Sequence, residues 1–147
     1  MYFSFNIVME IRQATKKDLN RILKSMGIDQ VNRKSWHVSS KKFVLSYIIN
    51  KHNYFFIAID KNKVVGTING ELWDDKGFAY IGEISAKGKN KDKVIKELFS
   101  YFVKFCKKKK VTLINTYVNK NKNQQISLYK SLGMKKVGDY LGYEKRI

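Results

Sequence analysis

The chain has 147 residues, enough for one sizeable hydrophobic core and not comfortably for two. Thirty Lys and Arg against twelve Asp and Glu leave a formal charge of +18, which argues against a polycationic partner such as a polyamine or an aminoglycoside and favours anionic ones. No apolar run is long enough to cross a bilayer, the single cysteine cannot form an internal disulfide, and the isolated histidines His37 and His52 show no metal-ligand spacing.

Residues 1–8 (MYFSFNIV) lack the charged start and small-residue cleavage site of a signal peptide, and read either as an extra edge strand or as an extension upstream of a start at Met9. Residues 10–14 predict an opening strand, and residues 15–19 the entry to a first helix, with Thr15 as N-cap and Asp18 closing a shortened capping box. Leu19, Ile22, Leu23 and Met26 then recur at helical spacing. Ser40 opens a second helix that would bury Phe43, Val44, Tyr47 and Ile48. Three antiparallel strands follow, over residues 54–59, 64–72 and 78–85, joined by the turns Asp60-Lys61-Asn62-Lys63 and Asp74-Asp75-Lys76-Gly77.

A long helix from about residue 92 to residue 108 carries Ile95, Leu98, Phe99, Phe102 and Cys106 on one side. Cys106 therefore reads as a core residue rather than a catalytic thiol, and a lone thiol suits a reducing cytoplasm. Residues 112–118 (TLINTYV) are apolar and β-branched, as a buried strand would be. The helix after them stops at Gly133, which tolerates a left-handed cap. Residues 135–139 and 141–146 predict a closing pair of strands. No internal repeat or linker interrupts the chain, so residues 1–147 form one domain of mixed α/β class, a sheet with helices on both faces.

Leu128-Tyr129, three intervening residues, then Gly133-Met134 resembles the last conserved segment of the GNAT superfamily of N-acetyltransferases, usually Leu-Tyr-x-x-x-Gly-Phe. The resemblance runs from Met9 onward, and Val64-Val65-Gly66 is similar to the family's third-strand signature. It implies a GNAT-like α+β fold: a central twisted mixed sheet of six to seven strands, mostly antiparallel, about four helices, and a V-shaped splay between strands 4 and 5. It further implies acetyl-CoA as cofactor and direct acetyl transfer to a primary amine of a small molecule, protein or peptide. That transfer needs a neutral amine, a polarised thioester carbonyl and a protonated leaving thiolate.

On this resemblance Tyr129 stands beside the thioester sulfur as general acid, because a phenol is protonated at neutral pH; its alternative is a packed aromatic. Glu83, on the fourth strand, lies where many family members carry a carboxylate that takes the amine proton through water; its alternative is an ordinary outward-facing strand residue. The main chain of Ile84, Ser85 and Ala86 would pair with pantetheine at a bulge, and Asn121 and Asn123 bracket a position where relatives often place a cofactor-contacting Asn.

The pyrophosphate would meet Lys87, Gly88, Lys89, Asn90, Lys91, Asp92 and Lys93, at the mouth of the long helix, where the dipole and unpaired amides favour an anion. The family's glycine-rich signature is reduced there to Gly88 alone, which bears on cofactor affinity more than on fold. Between the first two helices, residues 29–39 would wall the acceptor site, making Trp36 a stacking or a core residue; Glu71 is an acidic candidate for holding the amine.

Residues 87–110 hold ten lysines against Asp92 and Glu97. Lys104 and residues 107–110 are either solvated surface or a contact for RNA, ribosome or another polyanion. The chain is accordingly an acetyltransferase, or a basic binding module on the same fold, or a relative that holds CoA without catalysis. In each case no membrane partner is expected, and the chain is a monomer or homodimer.

Overall fold

A computed structural model describes residues 9–25 and 40–146. The chain divides into one compact unit up to Thr116 and a second from Tyr117 onward. The first unit contains β1 (Glu10–Gln13), a 3₁₀ turn (Lys16–Asp18), α1 (Leu19–Ser25), α2 (Ser40–Ile49), β2 (Asn53–Asp60), β3 (Lys63–Trp73), a second 3₁₀ turn (Asp74–Lys76), β4 (Phe78–Ala86), α3 (Lys91–Lys108) and β5 (Leu113–Asn115). The five strands lie in one sheet in chain order, antiparallel from β1 to β4, with β5 parallel to β4. A parallel neighbour needs a crossover, and α3 supplies it.

Residue chemistry explains the turns. Lys61 and Asn62 both adopt positive φ, 49° and 63°, so the two-residue connection between β2 and β3 has the backbone hand that matches strand twist. Thr15 and Asp18 behave as the sequence predicts: the Thr15 N–H donates to Asp18 Oδ2 at 2.7 Å and the Asp18 N–H to the Thr15 carbonyl at 2.9 Å. Asp18 is 1% exposed, yet it is fully served. Arg12 grips both its oxygens, at 2.8 and 2.9 Å, and Arg21 adds a third charged bond at 2.6 Å. These contacts hold its carboxyl well below the ordinary range, the Arg12 bonds foremost.

The sheet is covered on both sides. One face of β2 (Phe55, Ile57, Ile59) packs with Leu19, Ile22, Leu23 and Val44 of the first two helices, and Phe43, Tyr47 and Ile48 lie half-buried against that core. The other face lies under α3, where Phe102 stacks on Tyr54 at 4.5 Å and Phe105 meets Phe56 edge-on at 4.9 Å. Helix and sheet approach so closely that a Cβ at Gly66 would stand 2.7 Å from Val94 Cγ1 and 2.9 Å from Leu98 Cδ1. Cys106 lies on this buried side, and burial pushes its thiol up to about 11.

The second unit contains α4 (Asn123–Ser131), closed by Gly133 at φ 83° with the Met134 N–H donating to the Tyr129 carbonyl at 3.0 Å, as the sequence predicts. The expected closing strands at residues 135–139 and 141–146 are not formed, and the sheet has five strands among the described residues rather than six to seven. Val137, Leu141 and Tyr143 are 85%, 85% and 91% exposed, so these residues bury too little apolar surface to support a strand. The predicted strand over residues 112–118 contracts to Leu113–Asn115, its first residue exposed.

Candidate active site

The β4 strand carries one residue more than its partner β3. Asn69 is opposite Glu83 while Gly70 is opposite Ile81, which leaves Gly82 as a bulge. Gly70 has to be glycine at this point, since a Cβ there would fall 1.8 Å from the Tyr80 carbonyl oxygen. Gly82 and Glu83 are both exposed, and the bulge turns the Glu83 carboxylate outward; among the described residues it enters no ion pair.

Register identifies the face. Phe55, Asn69 and Glu83 are successive neighbours across β2, β3 and β4, as are Ile57, Thr67 and Ser85, so Glu83 and Ser85 lie on the face covered by α1 and α2. Glu71 and Tyr80 are paired on the same face, and Asn115 is opposite Tyr80 from β5. Glu71 is half-buried and accepts a bond from Trp73 Nε1 at 3.2 Å. Burial pushes the Tyr47 phenol of α2 above its usual range, and Glu71 and Tyr80 add to the effect, which keeps it a proton-bearing donor.

The β5 ladder reaches β4 only from Phe78 to Tyr80; one step on, the Thr116 hydroxyl donates to the Ile81 carbonyl at 2.7 Å. From Gly82 to Ala86 the described residues pair β4 with β3 alone. The sequence-predicted backbone of Ile84, Ser85 and Ala86 is this stretch of strand, with Ile84 buried and the other two half-buried.

β4 leads directly into the lysine loop. The Lys87 N–H is anchored on the Val65 carbonyl at 2.9 Å, Gly88 takes φ 91°, and Lys91 donates to the Gly88 carbonyl at 3.3 Å. Asn90 occupies the N-cap without a side-chain bond, and no described backbone carbonyl takes the Asp92 or Lys93 N–H. Lys87, Lys89, Lys91 and Lys93 are exposed and outside every described ion pair. A recess of about 130 Å³ opens here, lined by Asp60, Lys87, Gly88, Lys89, Asn90 and Val94. Free amides and four ammonium groups fit an anionic cofactor tail, with Asp60 and Asp92 as opposing charges. A larger recess of about 310 Å³ lies at the far ends of α2 and α3 and contains none of these groups.

The first unit thus brings Glu83, the main chain of residues 84–86 and Glu71 onto one sheet, with the lysine loop following directly from β4. Tyr129, half-buried in α4, belongs to the second unit, as do Asn121, whose N–H is held by Asn119 Oδ1 at 3.0 Å, and Asn123, the first residue of α4. Trp36 lies outside the described residues. Sequence reasoning missed Asn69 and Asn115. A buried amide within the apolar run of β3 was the available signal.

Residues 11–146 match the acetyltransferase (GNAT) domain model, and the chain belongs to that family. It is thereby an acetyltransferase that takes acetyl-CoA as donor. Solved structures of similar fold include an aminoglycoside 6'-N-acetyltransferase from Acinetobacter baumannii, at 14% identity and TM-score 0.76 over 95% of this chain and 99% of that one. A second is an aminoglycoside N-acetyltransferase in complex with CoA, at 16% identity and TM-score 0.75 over 99% and 100%. A third is a possible acetyltransferase from Clostridium difficile 630, at 23% identity and TM-score 0.72 over 95% and 97%. At these identities the likeness concerns the fold. A search of curated proteins found no match to the sequence.

Proposed function

We propose that the protein transfers the acetyl group of acetyl-CoA directly to a primary amine of a small molecule or of a protein or peptide. The observation that carries this reading is the Gly82 bulge, which presents an exposed Glu83, outside every described ion pair, beside the stretch of β4 that has one ladder partner among the described residues. In this mechanism Glu83 takes the amine proton through water, and the freed nitrogen lone pair attacks the thioester carbon. The N–H and C=O groups of residues 84–86 hold the cofactor's amide arm as an added strand would be held. Lys87, Lys89, Lys91 and Lys93, with the first-turn amides of α3, hold its pyrophosphate. Tyr129 gives the departing thiolate its proton, and Asn121 and Asn123 are cofactor contacts in the same reading. Glu71 and Trp36 belong to the acceptor side, Glu71 attracting the ammonium form before its proton is lost.

Aminoglycosides are the substrates of several proteins with this fold; the +18 charge favours a smaller amine here. Calorimetric titration with acetyl-CoA at moderate salt, followed by thiol-release assays over a panel of amines, tests the reading: saturable binding with amine-dependent release supports it, and absence of binding removes it. A second reading rests on a separate observation. Lys93, Lys96, Lys104, Lys107 and Lys108 are exposed along α3, outside every described ion pair, a surface suited to a polyanion such as RNA.

A further inference from the structure

Among the described residues, three buried side-chain atoms have no hydrogen-bond partner: Asn69 Oδ1, Ser85 Oγ and Asn115 Oδ1. Buried polar groups are nearly always satisfied, so each exception calls for a cause. These three are not scattered. They stand on the neighbouring strands β3, β4 and β5, and register places all of them on the sheet face that carries Glu83: Asn69 opposite Glu83, Ser85 opposite Thr67, Asn115 opposite Tyr80. Two are amide oxygens, which only accept, and the third is a hydroxyl, which does either. What would complete them must therefore bring donors. Asn69 is 3% exposed, but it lies directly beneath the exposed bulge, where a methyl added at Gly82 would stand 3.3 Å from Oδ1.

We infer that these three groups set the specificity of the acceptor site, receiving the N–H and O–H donors of a small amine flanked by hydroxyl groups in preference to a plain alkyl amine. The inference rests on the acetyltransferase reading above and names its substrate class. A site built to bond hydroxyl groups rejects an analogue lacking them, because the buried acceptors then stay unpaired.

The test compares 2-amino-1,3-propanediol with isopropylamine, which share a carbon skeleton and differ by two hydroxyl groups. The ratio of their kcat/KM values, compared between wild type and variant so that their different basicities cancel, should fall by roughly tenfold or more in Asn69→Leu. The melting temperature should hold or rise, because Asn69 Oδ1 has no hydrogen bond among the described residues to lose. Gly82→Ala, which crowds Oδ1 and leaves the amide in place, should lower the same ratio. Unchanged ratios in both variants, or a lowered melting temperature for Asn69→Leu with the ratio intact, would overturn the inference. Titration of the diol into the labelled protein, read at the Asn69 and Asn115 side-chain ¹⁵N resonances, decides independently of turnover: resonances that do not move overturn the inference even where acetyl-CoA binds. Loss of acetyl-CoA binding would instead remove the catalytic reading beneath it.

Discussion

Three side chains bear distinct burdens. Tyr129→Phe keeps the ring and deletes the proton donor, so turnover should drop on the order of 10²-fold while calorimetric affinity for acetyl-CoA holds; full turnover would leave Tyr129 a packing residue. Glu83→Gln removes a proton acceptor, and its rate should recover as pH rises, since alkali then neutralises the amine without help; an unaltered pH–rate profile would assign the proton to bulk solvent. Asp18 has no part in the chemistry. Its two arginines are 33% and 41% exposed, so Asp18→Ala should cost about 3 kcal/mol, the low end for breaking a buried pair, as read by denaturant melts. The folded carboxyl titrates below its unfolded value, so this contribution is complete above pH ~4 and is withdrawn as the medium is acidified further. The difference in stability between wild type and Asp18→Ala should accordingly shrink below that pH.

At the scale of elements, two glycines let strands and helix meet. Gly66→Ala would force a methyl into Val94 and Leu98 and should destabilise the fold by about 1–3 kcal/mol, as overpacked cores are. Lys89 and Lys91 flank the mouth of α3, and replacing both by Gln should weaken CoA binding and flatten its dependence on salt; an unchanged salt slope would class them as solvated surface. The hairpins β2–β3 and β3–β4 were legible because apolar, β-prone runs end at Asp60-Lys61-Asn62-Lys63 and Asp74-Asp75-Lys76-Gly77, polar residues suited to a turn. So was α3, from its five-residue apolar stripe. Residues 135–146 misled the reading, because they were expected to complete the sheet, whereas a strand holds only where its apolar residues find a surface to bury them and these stay exposed. Glu83 and the lysine loop were expected from resemblance and charge, and the structure puts them on β4 and at the mouth of α3. Asn69 was not singled out: an amide inside an apolar run signals a buried polar group, but the β3–β4 register shift that sets it beneath Gly82 has no local pattern.

For the molecule as a whole, +18 means self-repulsion in the compact state. Raising salt from about 10 mM to about 200 mM should lift the melting temperature by several degrees, at about 2–4 °C per kcal/mol relieved for a chain of this size. A melting temperature independent of salt would mean that the exposed lysines are already spaced beyond effective interaction. The buried Cys106 carries a different consequence. It is the only sulfhydryl in the sequence, 2% exposed, with its thiol pushed up to about 11, so an alkylating reagent at pH 8 can reach it only in molecules whose core has momentarily opened. The rate of its modification is therefore a running count of those openings. α3 carries this thiol on its buried side and has the lysine loop, proposed above to hold the pyrophosphate, at its own first turn, so a cofactor held there should slow the count. At a hundred times its dissociation constant the slowing should approach a hundredfold, and acetyl-CoA affinity could then be read from the survival of a single sulfur atom.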